Sequence, residues 1–204
     1  MEDVLLEVES SKKEKIINAA IVEFSQNGYE KASTNAIVKR AGVSKGLIYH
    51  YFKNKQALYD YLIYYVFDLI MGEIERNLNF NEPDVFNRLK EVAIIKMGIS
   101  IKHPNIYDIV PKFYENKTYE EIKELAESFS PNLYNRIMVE NIDYSLFRDD
   151  VNVENALKIL NWTIEKMGEE EMQNILVLQD KWNIDEYSKR FDSYMDILKN
   201  TFYK

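Results

Sequence analysis

Residues 33–55 have the sequence STNAIVKRAGVSKGLIYHYFKNK, which predicts two short helices joined by a tight turn. The hydroxyl of Ser33 or Thr34 is suited to cap the start of the first helix. Gly42 tolerates the left-handed backbone that ends a helix, and Ser44 has the side chain of a second cap. The apolar residues at helical spacing, which are expected to face inward, are Ile37, Val38, Ala41, Val43, Ile48 and Phe52. This pattern is that of a helix-turn-helix.

The second helix of the pair is predicted to span residues 45–52, and its outward face is the predicted DNA reader. That face carries Lys45, Gly46, Leu47, Tyr49, His50 and Tyr51. Lys45 at the start of the helix suits guanine acceptors, and Gly46 lets the backbone approach the duplex closely. Leu47 suits contact with a thymine methyl group, and Tyr49 suits either a base or a phosphate.

The segments AGVSKG at residues 41–46 and IYHYFKNK at residues 48–55 resemble the DNA-binding signature of the tetracycline-repressor (TetR) family. The resemblance covers roughly residues 12–60. It implies an N-terminal DNA-binding domain followed by a variable helical domain that binds a small molecule and forms a dimer. It also implies contacts with DNA phosphates, which fix register without reading sequence, by Ser33, Thr34, His50, Tyr51 and Lys55. Ser44 completes the predicted DNA-binding set.

The charge of the chain is unevenly distributed. Its net charge is −8, yet residues 11–56 hold nine lysines and arginines against three glutamates, a charge of +6, so the remainder carries −14. A basic head on an acidic body is steered head-first onto a polyanion. The alternative is that these lysines only solvate a small domain, but their clustering on the helix-turn-helix favours nucleic acid as the partner.

Composition limits the class of protein. A chain of 204 residues, 46% of them hydrophobic, can bury a core and suits one large or two small domains. It has no cysteine, which excludes disulfides, thiolate zinc sites and a cysteine nucleophile. The acidic N-terminus differs from a secretory signal and no apolar run is long enough for a membrane span, so we expect a cytoplasmic protein without membrane contact. No metal, cofactor or catalytic motif is present, and we expect no enzyme activity.

The fold class is predicted to be all-α, because no strand pattern competes with the helical periodicities. Residues 1–54 are predicted to hold an N-terminal tail and a three-helix DNA-binding domain. Residues 55–204 are predicted to hold a larger helical domain for ligand binding and dimerisation. Asn54 lies at the boundary and is suited to cap the first helix of this second domain.

The helices around the boundary are predicted from start and stop signals. Residues 1–10 are expected to form a loose tail, and the first helix is expected to run from Ser10 or Ser11 to Asn27, as a buttress for the helix-turn-helix. The fourth helix is expected to reach about Asn79 and to link the DNA reader mechanically to the second domain.

The remaining helices are predicted at about Pro83–Lys102, 105–114, Thr118 to Asp143, from Asn152, and Ile184–Phe202. Residues 92–99 are apolar nearly all round, which is typical of a helix in the centre of a bundle. Thr118 and Glu121 predict a capping box. Pro131 is expected either to kink or to split the helix that contains it, and the sequence leaves both possibilities open.

The second domain is rich in aromatic residues and methionine, and 12 of the 15 tyrosines follow residue 56. Core packing explains most of them singly, but together they permit a ligand pocket. Its candidate lining is Tyr64, Phe67, Met71, Met97, Ile101, Tyr107, Phe113, Tyr114, Tyr134, Met138 and Trp162. Because no cationic cluster accompanies them, we expect an apolar or weakly polar small-molecule effector.

These observations favour a homodimeric repressor that binds double-stranded operator DNA and releases it on binding a ligand. The resemblance to the TetR family implies that the last two helices form the dimer interface. Their apolar stripes fit that role through Leu157, Leu160, Ile164, Phe191, Met195 and Leu198. One rival is a helical lipid- or metabolite-binding protein without DNA-regulated function, which would not shift operator DNA on a gel. The other is an all-α enzyme, which would turn over the molecule in its pocket.

Overall fold

The computed structural model describes residues 2–103, 105–113, 118–178 and 184–204. Its helices are α1 Glu2–Lys31, α2 Thr34–Ala41, α3 Lys45–Phe52, α4 Lys55–Asn77, α5 Val85–Lys102, α6 Ile106–Phe113, α7 Tyr119–Phe129, α8 Leu133–Met138, a 3₁₀ turn Tyr144–Leu146, α9 Val153–Leu178 and α10 Ile184–Phe202. The described residues form no strand, and one isolated β-bridge joins Phe147 to Tyr203. The predicted all-α fold is therefore confirmed.

The start of α1 differs from the prediction, because residues 2–10 are helical where a loose tail was expected. No glycine or proline precedes Gly28, and acidic residues are favourable near a helix N-terminus. The stop signal at Asn27 and Gly28 does mark a break. Gly28 has φ 65° and ψ 176°, and the helix resumes only as far as Lys31.

Local signals place most of the other boundaries. Asn54 caps α4 as predicted, since Oδ1 accepts the N–H of Ala57 at 2.8 Å. The capping box of α7 is also confirmed: the N–H of Thr118 donates to Glu121 Oε2 at 2.7 Å, and the N–H of Glu121 donates to Thr118 Oγ1 at 3.3 Å.

The question left open at Pro131 is decided in favour of a split. Helix α7 ends at Phe129 and α8 begins at Leu133, with Asn132 between them in the left-handed conformation at φ 60°. The predicted extension of this region to Asp143 as helix is wrong. Helix α8 ends at Met138, and a second left-handed asparagine follows at residue 141.

The chain forms two compact units, each described by itself. Unit 1 comprises residues 1–73 and 98–130, and unit 2 comprises residues 74–97 and 131–204. The assignment of residues 1–54 to DNA binding and 55–204 to ligand binding concerns function and stays a prediction.

Unit 1 contains the helix-turn-helix and the helices that support it. Helix α1 packs against both α2 and α6. The buried side chains that join these helices include Ile16, Ala20, Phe24, Ile37, Ile48, Phe52, Leu58, Leu62, Ile109 and Phe113. Helix α4 is tied to the end of α6 because the hydroxyl of Tyr59 donates to the carbonyl oxygen of Lys112 at 3.0 Å.

The core of unit 2 corrects the predicted dimer stripe. Four of its six residues, Leu157, Leu160, Phe191 and Met195, are buried inside the single chain, and Ile164 and Leu198 pack against the same core. The apolar periodicity of α9 and α10 marked the face that packs within the chain. A different set is exposed on these two helices: Ile159, Trp162, Tyr194 and Ile197.

The expectation that the apolar middle of α5 would lie at the centre of a bundle is wrong for one side of the helix. Ile94 is 56% exposed and Ile101, two turns further on, is 71% exposed. Other residues of α5 are buried, including Val85, Leu89, Val92 and Ile99. Nearly uniform hydrophobicity thus did not distinguish the buried face from the exposed one.

Two buried polar residues fix the ends of α5 and α8 in unit 2. The guanidinium of Arg88, with no exposed surface, donates to the carbonyl oxygens of Glu82 at 3.0 Å and of Arg136 and Glu140, each at 2.7 Å. Asp84 caps α5 through the N–H of Phe86 at 2.9 Å. None of the helices in the described parts of the chain combines the length and the apolar character that a membrane span requires.

Candidate nucleic-acid interface

The turn between α2 and α3 has the geometry that the sequence predicted. Gly42 adopts a left-handed conformation with φ 65° and ψ 34°, and its N–H donates to the carbonyl oxygen of Val38. Ile37 and Ala41 on α2 and Ile48 on α3 are buried. The two helices are therefore held on the core of unit 1 by their inner faces, and the outer face of α3 is free of that packing.

The outer face of α3 presents a cation, an open stretch of backbone and an aromatic ring. Lys45, Gly46, Tyr49 and His50 are exposed, and Leu47 and Tyr51 are half-buried. A Cβ added at Gly46 would meet no atom of the described residues within 4 Å, so none of them requires glycine there. Such a surface suits the major groove, because hydrogen-bond donors and apolar atoms read base edges there.

The start of α2 is held by a buried carboxylate that the sequence analysis missed. Glu23 Oε1 accepts the N–H of Ser33 at 3.0 Å, and only 6% of Glu23 is exposed. Ser33 Oγ accepts the N–H of Ala36 at 3.5 Å, a long capping bond. The signal for Glu23 was its position three residues after Ala20 on the buried stripe of α1, where an apolar side chain is usual.

Two further members of the predicted DNA-binding set lie at helix starts. Thr34 is the first residue of α2 and is half-buried. Ser44 is exposed at the cap position of α3, where its carbonyl oxygen accepts the N–H of Leu47 at 3.0 Å. Its hydroxyl makes no capping bond, contrary to the predicted capping role.

The basic residues of residues 11–56 differ in their surroundings. Those that are exposed are Lys12, Lys15, Lys31, Lys39, Arg40, Lys45 and Lys53. Lys13 lies over the ring of Tyr61, with Nζ 4.5 Å from the centroid. Tyr65 stacks on Tyr61, and burial, followed by the nearby carboxylate of Glu14, raises its pKa. Most of the +6 charge therefore faces solvent.

Lys55 has partners that the resemblance did not imply. Its Nζ donates to the carbonyl oxygens of Tyr29 at 2.7 Å, Glu30 at 3.1 Å and Ala32 at 3.2 Å. It also lies 4.6 Å from the centroid of the Tyr29 ring. The expected phosphate contact of Lys55 stays a prediction, but in the DNA-free chain its ammonium is bound to the end of α1.

The candidate effector residues are divided between the two units. Unit 1 holds Tyr64, Phe67, Met71, Ile101, Tyr107 and Phe113, and unit 2 holds Met97, Tyr134, Met138 and Trp162. Tyr114 lies outside the described residues.

Within unit 1 the structure brings three of these candidates into one aromatic cluster. The ring centroids of Phe67 and Phe113 are 6.4 Å apart. Phe129, which the sequence analysis missed, lies 5.9 Å from Phe67 and 4.8 Å from Tyr64. Its signal was an aromatic residue on the last turn of α7, just before the Ser-Pro break. Ile101 of unit 1 is 71% exposed, and Tyr64 within the cluster is 56% exposed.

The unit 2 candidates do not form one cluster. Met138 is buried in the core, and Met97 lines a shallow groove between α5 and α10. Tyr134 is 52% exposed, and burial of its remainder together with the Glu165 carboxylate raises its pKa against the opposing effect of Lys158. Trp162 is 63% exposed on α9.

Comparison with known proteins agrees with this geometry. The family of bacterial regulatory proteins of the tetR type matches residues 16–62, which include α2, the Gly42 turn, α3 and the start of α4. The DNA-binding region of the chain, residues 16–62, is therefore that of the TetR family of bacterial transcriptional regulators. The predicted recognition is therefore confirmed, as is the prediction of a DNA-binding regulator.

Relatives match this chain well beyond the helix-turn-helix. The biofilm operon icaADBC HTH-type negative transcriptional regulator IcaR of Staphylococcus aureus (strain Newman) is 26% identical over 166 residues, 81% of this chain and 78% of that protein. The nucleoid occlusion factor SlmA of Yersinia enterocolitica is 26% identical over 128 residues, 60% of this chain and 64% of that protein.

Solved structures share the fold along nearly the whole chain. The fatty acid degradation regulator FadR of Bacillus halodurans is 20% identical with a TM-score of 0.65, covering 92% of this chain and 97% of that one. FadR of Bacillus subtilis, in complex with stearoyl-CoA, is 21% identical with a TM-score of 0.62, covering 91% of this chain and 97% of that one.

Proposed function

We propose that this TetR-family regulator represses transcription as a homodimer on a palindromic operator, and that an apolar or weakly polar small molecule releases it. The observation that carries the proposal is the exposed outer face of α3, which carries Lys45, on a helix-turn-helix whose inner face is buried. The direction of regulation is supported by IcaR, which is a negative regulator.

The proposed base contacts lie along α3. Lys45 reaches guanine acceptors, the backbone at Gly46 lies close to the groove, and Leu47 and Tyr49 contact base edges. The proposed phosphate contacts are Ser33, Thr34, Ser44, His50 and Tyr51, at helix starts and at the flank of α3.

The proposed dimer uses the exposed faces of α9 and α10. Ile159 and Trp162 are three residues apart on α9, and Tyr194 and Ile197 are three residues apart on α10, so each pair shares a face. Four large apolar side chains exposed on two long helices favour burial against a second copy. Two-fold symmetry then places two recognition helices about 34–36 Å apart, or at a multiple of that, and the operator mirrors it.

The proposed effector site lies in the helical part after residue 55. The structure of Bacillus subtilis FadR holds stearoyl-CoA, which supports a long apolar chain as a ligand that this fold can accommodate. Within unit 1 the proposed contacts are Phe67, Met71, Tyr107 and Phe113, which are buried or half-buried. An apolar ligand gains free energy there chiefly by leaving water, and the tyrosine hydroxyl orients its polar end.

The same proposal assigns residues 1–54 to DNA binding and residues 55–204 to effector binding and dimerisation. It includes no catalytic activity, since binding and release of DNA need none. It locates the protein in the bacterial cytoplasm, where the operator is.

The test is selection of duplexes from a random pool with the full chain, followed by mobility shifts at several salt concentrations. We expect a palindromic consensus and a logarithm of the affinity that falls linearly with the logarithm of salt. Lys45→Ala should relax base preference at one position per half-site, and Lys102→Ala, an exposed lysine of α5, serves as the control. Stearoyl-CoA and stearate are then added to the complex. Failure to enrich any sequence would refute operator binding, and enrichment without release by either compound would refute only a long acyl chain as the effector.

A further inference from the structure

Lys55 links the start of α4 to the end of α1. Its side chain leaves the first residue of α4 and reaches the carbonyl oxygens of Tyr29, Glu30 and Ala32, all three within 3.2 Å of Nζ. A lysine ammonium has three N–H donors and no acceptor. All three donors therefore have partners inside the protein, and none is left for a DNA phosphate in this arrangement.

The electrostatics at the end of α1 favour this arrangement. The last carbonyl groups of a helix lack partners and carry the negative end of its dipole, so a cation is stabilised there. The break at Gly28 turns the chain just before these carbonyls, so the carbonyls of residues 29–32 are available to an external donor. The ring of Tyr29 covers the same ammonium at 4.6 Å and adds a cation–π contact.

The linked ends also bracket the recognition helix. Only Lys53 and Asn54 separate α3 from α4, and Asn54 caps α4 through the N–H of Ala57. Leu58, one turn into α4, is fully buried. The position of α3 is thus set by where α4 begins, and Lys55 fixes that start on α1.

We propose that Lys55 is a positioning residue: it clamps the start of α4 to the end of α1 and thereby fixes the position of the recognition helix α3. Lys55 contributes no ion pair to DNA. The inference goes beyond the proposed repressor function and departs from the phosphate role that the family resemblance implies for this position. The clamp exists in the DNA-free protein, so only the statement about the ion pair to DNA rests on the proposed DNA binding.

The experiment compares Lys55→Met, Lys55→Arg and a matched control, Lys53→Met, which removes an exposed lysine two residues away. Thermal unfolding is measured without DNA. Affinity for a duplex selected by the wild-type chain is measured by fluorescence anisotropy at KCl concentrations between 50 and 300 mM that increase in steps of about twofold. The slope of log affinity against log salt counts phosphate contacts, and each lost contact flattens it by about 1.

We expect Lys55→Met to lower the midpoint of unfolding by about 4 °C or more and to weaken DNA binding equally at every salt concentration, with the wild-type slope. Lys55→Arg, which keeps charge and donors, should recover most of both losses. Lys53→Met should leave the midpoint within about 1 °C.

A Lys55→Met protein that does not fold would also support the clamp, because a residue that only binds phosphate has no effect on the DNA-free protein. A flattened slope with an unchanged midpoint would overturn the proposal and restore the phosphate role. Absence of sequence-selective binding by the wild-type chain would instead refute the proposed operator function, and the unfolding measurements would still decide the clamp.

Discussion

Gly46→Ala separates the requirements of the fold from those of DNA recognition. A Cβ at this position meets no atom within 4 Å, so the methyl group has no steric cost inside the protein. Alanine is favoured over glycine in a helix by up to about 1 kcal/mol, so the midpoint of thermal unfolding should rise by about 2–4 °C or less. The fold therefore predicts a neutral or stabilising substitution.

DNA binding should change in the opposite direction. Gly46 is the second residue of α3, on the outer face beside Lys45. If the backbone lies against the base pairs there, the methyl group displaces the helix and weakens one or two base contacts, each of which contributes about 1–3 kcal/mol. The expected loss of affinity for the selected duplex is about 10- to 100-fold.

Gly98→Ala provides a matched control for this substitution. Gly98 also lies in a helix, α5, and a Cβ there also meets no atom within 4 Å. It should show a similar or larger gain in stability without any change in DNA affinity. Both affinities are measured by anisotropy and both midpoints by circular dichroism. Wild-type affinity in Gly46→Ala would refute the close approach and leave glycine at this position merely tolerated.

Three further substitutions test unit 2. Ile197→Glu, at a position that is 61% exposed, should convert the dimer to monomer in sedimentation, whereas Ile94→Glu on α5 should not. A fully dimeric Ile197→Glu would exclude the exposed face of α9 and α10 as the dimer interface. Arg88→Met should lower the free energy of unfolding in urea by about 3–5 kcal/mol, because several carbonyl groups lose a buried charged donor; a loss under about 1 kcal/mol would contradict this. Burial alone raises the pKa of Asp84, but bonds from Lys199, Tyr203 and the N–H of Phe86 outweigh it and hold the pKa below its usual value. The ionised carboxylate of Asp84 therefore stabilises the fold above the unfolded pKa of about 3.9, and this stabilisation is lost as pH falls through the lower folded pKa. Asp84→Asn should cost stability at pH 7 and progressively less at lower pH. A stability difference that does not change with pH would contradict this role of Asp84.

Most signals confined to a few neighbouring residues were read correctly from the sequence, with the predicted cap at Ser44 as an exception. The left-handed Gly42, the cap at Asn54 and the capping box at Thr118 each depend on residues no more than five positions apart. In such cases the side chain and the backbone group that it satisfies belong to the same turn, so local chemistry determines the outcome.

Contacts between distant parts of the chain were not predictable in the same way. Glu23 with Ser33 joins residues 10 positions apart, and Lys55 with Tyr29 joins residues 26 positions apart. Nothing in either local sequence specifies the partner. The predicted phosphate role of Lys55 came from family resemblance and did not consider what α1 offers to its ammonium group.

The dimer stripe shows a limit of periodicity itself. Leu157 and Leu160 were correctly recognised as one apolar face of α9, but an apolar face packs equally well inside its own chain or against a second copy. The exposed face of the same helix carries Ile159 and Trp162 among polar residues, which gives a weaker periodic signal. Only the packing of unit 2 distinguishes the two faces.

The contact among α1, α4 and α6 in unit 1 bears on how an effector can act on the recognition helix. The ring of Tyr59 on α4 lies 5.0 Å from both Phe24 and Tyr29 on α1 and 5.9 Å from Phe113 on α6. Helices α1, α4 and α6 therefore share one packed aromatic contact, and packed interiors switch between discrete arrangements more readily than they deform. A hundredfold change in operator affinity requires a coupling free energy of about 2.7 kcal/mol, which a ligand supplies only by binding one arrangement more tightly than the other. A long α4 acting as a lone rod has to transmit this energy along its length, whereas α6 packs directly against α1, which also packs against α2. We therefore expect a mechanical link to the recognition helix to use α4 and α6 together, with Tyr59 where they meet.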